Sequence, residues 1–274
     1  MSHNVQKKIA VVNDFCGFGR CSLTAAMPVI SALKVQCCPL PTAIFSNHTG
    51  YESFYSTDLT DHMSDYILQW KKLGLRFNGI LTGFLGSTQQ IEIVTRFLED
   101  FKTEATVTVI DPVMGDGGSL YRSFSRELAE MMGRLVPYAD ILTPNLTEAA
   151  ILTHTDYCAC PTENELCRIC EKLFLMGPKK IVISGLDRGD YLENFIYSAQ
   201  SGHCTVRAKK TGPCRAGTGD VFSAIIASDA VNGVELTDSV SHAAEFISKA
   251  LEKTVEMGLP ETDGICIEEL LGEL

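Results

Sequence analysis

The sequence predicts an α/β fold in which helices cover both faces of a central, mostly parallel sheet. Three observations predict it. Short apolar runs of strand length alternate with longer segments of helical periodicity. No repeat, low-complexity tract or long linker interrupts the alternation. Glycine, asparagine, threonine and aspartate collect just after the apolar runs, at the carboxyl ends of the expected strands, where parallel sheets bind their ligands.

Taken in order, Lys8–Val12 reads as the first strand and Val35–Phe45 contains the second. Ile80–Phe84, Val107–Ile110, Ile141–Thr143 and Lys180–Ser184 read as further buried strands, because strands covered on both faces are apolar at nearly every position. Leu59–Lys72 and Thr88–Phe101 show helical patterns between them. Thr162 and Glu165 make a capping box, and Leu166, Ile169, Cys170 and Leu173 follow as a core stripe. Asn194–Ser198 and His203–Lys210 read as paired strands around a Ser201-Gly202 turn. Val221–Ala230 is apolar on almost every side and so predicts a buried helix. Leu236, Val240, Ala243, Ile247 and Leu251 form the stripe of a last helix ending at Gly258. The expectation is one domain over residues 1–274, with residues 1–7 a flexible tail.

A 45% hydrophobic content suits a full core, and a net charge of −11 leaves no broad basic surface for a nucleic-acid backbone. No apolar run reaches about 18 residues and no leader-like segment opens the chain, so a soluble cytoplasmic protein is expected, with no membrane partner. The 11 cysteines read as reduced thiols, since most lie in apolar runs of a chain too large to need staples. Cys158, Cys160, Cys167 and Cys170 have the makings of a zinc site, but the helical stripe accounts better for the last two.

Six loops share one character: NDFCGFG, SNHTGY, TGFLGS, DPVMGDGG, TPNLTE and SGLD. A seventh segment, GPCRAGTGD, precedes the buried helix. Gly217 and Gly219 allow close backbone approach, Thr218 adds a hydroxyl, and the helix N-terminus offers N–H groups and a positive dipole end, which together suit a phosphate. Asp220 then stands where a carboxylate can take the proton of an attacking hydroxyl during phosphoryl transfer, kept ionised by the helix end. The plainer alternative is that Asp220 merely caps its helix.

GTGD opening an apolar helix, with DPVMGD and TPNLTEAAIL before it, resembles the ribokinase-like superfamily of three-layer α/β/α kinases. FSNHTGY, LTGFLGS, DPVMGDGGSLY and ADILTPNLTEAAIL resemble its pyridoxal kinase branch, from about Ala10 to Leu251. The resemblance implies ATP-dependent phosphorylation of the 5′-hydroxymethyl group of pyridoxal, pyridoxine or pyridoxamine, in salvage of pyridoxal 5′-phosphate. It implies Asp220 as catalytic base and Gly217, Thr218 and Gly219 as anion hole. Asn13, Thr49 and Phe84 are implied on the vitamin side; Asp116, Thr143, Asn145, Ser184 and Thr218 for ATP; and Asp111 and Glu148 for Mg²⁺. Potassium and a homodimer are implied as well. Where Asn13 and Phe84 stand, many pyridoxal kinases have serine and tyrosine. His48 and Tyr51 read as structural or dimer-side, and Cys214 as a free loop thiol. The rivals are hydroxymethylpyrimidine kinase of thiamine synthesis and a catalytically inert vitamin-binding protein. A dinucleotide oxidoreductase is disfavoured because GFGRCS lacks the third glycine of its fingerprint, and no Walker A pattern is present.

Overall fold

The computed structural model describes residues 2–274. Its elements in chain order are β1 (Lys8–Cys16), α1 (Ser22–Ala32), β2 (Gln36–Phe45), β3 (Ser56–Asp58), α2 (Thr60–Lys72), β4 (Gly79–Thr82), α3 (Thr88–Phe101), β5 (Val107–Ile110), β6 (Gly115–Asp116), β7 (Ser119–Leu120), α4 (Arg126–Met132), β8 (Ile141–Leu142), α5 (Leu146–Thr153), α6 (Glu163–Leu175), β9 (Lys180–Asp187), β10 (Tyr191–Ser198), β11 (Gly202–Lys209), α7 (Thr218–Asn232) and α8 (Leu236–Glu256). Nine strands build one sheet in the order β11-β10-β9-β8-β5-β4-β1-β2-β3. The pairs from β9 through β8, β5, β4 and β1 to β2 are parallel, and the sheet's two ends are antiparallel. β6 and β7 form a separate small hairpin.

Alternation along each strand divides the core in two. Ala10, Val12, Ile80, Ile110, Leu142, Ile181 and Ile183 face a layer made by α2 to α6. Ile9, Val11, Leu81, Val109, Ile141 and Val182 face α1, α7 and α8. This is the three-layer α/β/α architecture of the ribokinase-like fold. Both Pro39 and Pro41 fall in β2, paired with Val11 and Asn13 of β1, and β3 covers only Ala43–Phe45 on the other side.

Two strand boundaries correct the sequence reading. β1 runs on to Cys16 because its register with β2 resumes after an irregularity between Asn13 and Phe15, so Asn13 and Asp14 are strand residues rather than loop residues. β9 continues through Ser184 to Asp187, because β10 returns beside it and pairs Leu186 with Glu193 and Asp187 with Leu192; SGLD is therefore strand, not loop. α7 also begins a turn earlier than its apolar stretch, at Thr218. The capping box at Thr162 and Glu165 and the buried stripe Leu166, Ile169, Cys170 and Leu173 are present as expected.

Candidate active site

The centre of the site is the first turn of α7. Gly217 is its N-cap, at φ 87°, a left-handed value that favours glycine. A Cβ there would come within 1.9 Å of the Arg20 carbonyl oxygen, so this position has no room for any other residue. Asp220 is the third helical residue, yet it does not cap its own helix. Its Oδ1 accepts from Asn13 Nδ2 at 2.9 Å and its Oδ2 from the Ser22 N–H at 2.7 Å, so β1 and the start of α1 aim it. Asn13 is the hub: its Oδ1 accepts from the N–H groups of Asp14 and Phe84. Ser22 reaches Asp220 from a left-handed backbone, φ 57°, which costs a non-glycine residue about 1–3 kcal/mol.

Burial acts against the ionisation of Asp220. Desolvation raises its carboxyl above the ordinary range, and the Ser22 N–H and Asn13 amide oppose that rise. Two more carboxylates converge on it. Desolvation pushes Asp14 up to about 7, with the Asp220 charge adding to the effect. Desolvation likewise pushes Asp111 up to about 8, again with Asp220 adding, while a 2.8 Å hydrogen bond from Ser223 Oγ opposes it. No lysine or arginine is among the groups that act on these three. A tight gap with no room for a water lies between the ends of β1, β4 and β5 and the helix α7, lined by Asn13, Ala26, Leu81, Thr82, Gly83, Asp111, Asp220 and Ser223. Buried Asp14 and half-buried Asp111 and Asp220, with no cationic partner and beside a helix N-terminus, suit a phosphate that arrives with a hard cation.

On the expected nucleotide side the side chains are tied to one another. Asn145 caps α5, with Glu148 completing the capping box. Glu148 is buried; its Oε1 accepts from the Met114 N–H and its Oε2 from the Asn145 N–H, while desolvation and Asp111 raise its carboxyl. Asn145 Nδ2 also donates to the Gly115 carbonyl, pinning the β6–β7 hairpin. Thr143 is buried and its hydroxyl lies against Ser223 Oγ, which leads to Asp111 rather than outward. Ser184 bridges to Asn145 within the sheet, and Asp116 is exposed at the hairpin tip. Thr218 Oγ1 donates to the Arg215 carbonyl. Among the described residues, no group of three or more His, Cys, Asp or Glu side chains is placed to hold a metal ion by itself. Asp111 and Glu148 interact electrostatically, and with phosphate oxygens to complete the shell they fit Mg²⁺.

On the other side, Phe84 is half-buried, edge-on to Phe45 at 5.9 Å and to Phe124 at 5.8 Å. Thr49 is exposed on the loop that follows β2. Sequence reasoning missed Asp14, Ser22 and Ser223. Only Asp14 carried a signal, as a charged residue at the end of an apolar run; the other two depend on contacts across about 110 and 200 residues of chain.

The chain matches the profile of the phosphomethylpyrimidine kinase family over residues 21–264. A thiamine biosynthetic bifunctional enzyme, TH1, of Arabidopsis thaliana chloroplasts is 28% identical over 90% of this chain and 47% of its own length. The chain thus spans about half of that relative. A crystal structure from Bacteroides thetaiotaomicron, assigned by inference as a phosphomethylpyrimidine kinase, is 38% identical, with a TM-score of 0.96, and the match covers 100% of this chain and 95% of that one. A second crystal form of it contains pyridoxal. A pyridoxal kinase from Lactobacillus plantarum is 27% identical, with a TM-score of 0.90, and the match covers 98% and 96% of the two chains. A profile match across most of the chain, joined to these superpositions, places it: it belongs to the phosphomethylpyrimidine kinase family, on the ribokinase-like fold that pyridoxal kinases share.

Proposed function

We propose that this protein is an ATP-dependent kinase that phosphorylates the 5′-hydroxymethyl group of pyridoxal, pyridoxine or pyridoxamine. The observation that carries the reading is Asp220: a carboxylate with both oxygens aimed by Asn13 and Ser22, at the third position of the helix whose first N–H groups form the anion hole. Asp220 takes the proton of the acceptor hydroxyl as the phosphoryl group transfers in line. The N–H groups from Gly217 to Gly219 hold the charge that spreads over the phosphoryl oxygens. Positioning supplies most of the rate, because little covalent chemistry is left to the protein.

Mg²⁺, carried in with ATP, neutralises phosphate charge; Asp111 and Glu148 are the residues that would hold it. With Thr143 committed to Ser223 and the Ile110 carbonyl, and Asn145 to the β6–β7 hairpin, their part in ATP binding is to fix those elements; Asp116 and Ser184 face the nucleotide, and Thr218, whose hydroxyl proton goes to the Arg215 carbonyl, offers its backbone N–H. Asn13, Thr49 and Phe84 surround the acceptor, with Phe84 presenting an aromatic face to a pyridine ring. Potassium as an activating cation belongs to the same reading. So does a homodimer through the β3 edge, where Ile44, Phe54 and Tyr55 are exposed. No described helix is long and apolar enough to cross a membrane.

A second reading, hydroxymethylpyrimidine kinase, follows from the family and from the plant thiamine enzyme. The SNHTGY loop and the pyridoxal-bound neighbour favour the B6 vitamer. ADP release with MgATP and K⁺, compared across pyridoxal, pyridoxine, pyridoxamine and hydroxymethylpyrimidine, tests the choice. Preferred turnover of a B6 vitamer is expected, turnover of the pyrimidine alone would establish the second reading, and turnover of none would favour an inert binder.

A further inference from the structure

The segment after α8, from Leu259 to Glu268, crosses three loops of the site and bonds to each. Arg215, just before the anion hole, is buried and donates from Nη1 to the Pro260 carbonyl at 2.6 Å and from Nη2 to the Leu259 carbonyl at 3.0 Å. The Ile265 N–H donates to the Ala216 carbonyl at 3.1 Å. Arg20, in the turn that presents the Ser22 N–H to Asp220, donates to the Asp263 carbonyl and to Glu268 Oε1. Tyr51 donates its hydroxyl to Asp263 Oδ1 at 2.9 Å, and His48 Nε2 lies 2.5 Å from the Thr262 carbonyl. Gly264 sits where these runs meet: a Cβ on it would lie 2.2 Å from the Gly19 carbonyl and 3.1 Å from that of Ala216.

The histidine contact fixes a tautomer. His48 Nδ1 accepts from the Gly50 N–H at 3.0 Å, so the ring proton must be on Nε2, where it donates to Thr262. The ring is wedged between Gly19 and Gly50, since a Cβ on either would come within 2.5 Å of it. An imidazole with both nitrogens committed in this way is not available as a base. It fastens the loop carrying Thr49 to the segment that Arg215 fastens to the anion hole.

We infer that Leu259–Glu268 is a strap that sets the acceptor-side loops in register with the anion hole, and that His48 and Arg215 are positioning residues acting through it. The bonds of segment 259–268 go to Arg20, His48, Tyr51, Arg215 and Ala216 and not to Asn13, Thr49, Phe84 or Asp220, so its effect on the reaction is transmitted. The inference rests on the kinase reading for its kinetic consequence but not for its structural one.

Two readouts keep those apart. The first is peptide-level hydrogen exchange of the full chain without substrate, for wild type, His48→Ala and Arg215→Gln. The strap requires that His48→Ala, more than ten residues from either peptide in sequence, speed exchange in both 259–268 and the peptide bearing Arg215–Gly219. Faster exchange confined to residues 46–52 would overturn it. The second is the double-mutant cycle in kcat/KM for pyridoxal. If both residues act through one strap, the double variant loses about tenfold less than the product of the single losses, and Arg215→Lys, which keeps one carbonyl contact, recovers part of the loss. Independent, multiplicative losses would refute a common element. Should the wild type turn over no B6 vitamer while the remote exchange effect is seen, the kinase reading fails and the strap stands.

Discussion

Replacing Asn13 by aspartate sets a second carboxylate against Asp220. The amide nitrogen that now donates to Asp220 Oδ1 lies 2.9 Å from it. Two full negative charges at that separation repel by roughly 6 kcal/mol at an effective dielectric constant of about 20, so the pair holds one proton between them over a wide pH range. Asp220 can then accept the proton of the acceptor hydroxyl only after the shared proton has left. The acid limb of the kcat/KM profile therefore moves to higher pH by at least ~1 unit, and the rate near neutrality falls at least ~tenfold. Asn13→Ala perturbs the same hub differently. It removes the donor to Asp220 and leaves the N–H groups of Asp14 and Phe84 without their acceptor, at a cost of about 1–3 kcal/mol each. It lowers thermal stability more than the aspartate does and moves the acid limb less. Coupled ADP release measured across pH for both variants decides the matter. An Asn13→Asp profile that superimposes on wild type, or moves to lower pH, would refute the geometry assigned to Asp220.

Three further outcomes follow from the same contacts. Gly217→Ala must force its Cβ away from the Arg20 carbonyl, 1.9 Å distant, at a left-handed φ; it lowers stability by at least ~2 kcal/mol and abolishes phosphoryl transfer, read by melting temperature and turnover. Asp14, at about 7 in the fold against 3.8 for the free group, keeps its proton where the unfolded chain has lost it. Its stabilising contribution is complete at low pH and is lost as pH rises through about 7. Asp14→Asn should thus gain in melting temperature relative to wild type as pH rises across that window, and a constant difference would contradict the burial of Asp14. Glu148→Gln leaves one of the Met114 and Asn145 N–H groups facing an amide NH₂; a loss of about 1–3 kcal/mol is expected in chemical denaturation, with a higher Mg²⁺ concentration needed for half-maximal rate.

The sheet and its layers were legible in the sequence because parallel strands buried on both faces leave unbroken apolar runs, as Val107–Ile110 does. The helix Thr88–Phe101 was legible to the residue, since one face is apolar and the other charged. α1 was not, because Pro28 stands inside it and its first residues follow a glycine-rich turn. The ends of β1 and β9 were misplaced for a related reason: Asn13, Asp14 and Gly185 look like loop residues, and only the partner strands keep them extended. In the site, the GTGD turn announced itself through local chemistry. What aims Asp220 did not, because Ser22 approaches from 198 residues away and does so with its backbone, which carries no side-chain signature. His48 read as structural or dimer-side, but its partner Thr262 is 214 residues distant and offers only a carbonyl, which leaves no trace in the sequence.

The most direct test of the account is the rate of ADP formation from MgATP and pyridoxal by wild type and Asp220→Ala, with circular dichroism and melting temperature recorded on both. The account predicts a folded variant whose turnover is lower by about 10²–10⁴-fold or more, the share of a general base in such a transfer. A folded Asp220→Ala protein that turns over within a few-fold of wild type would contradict it.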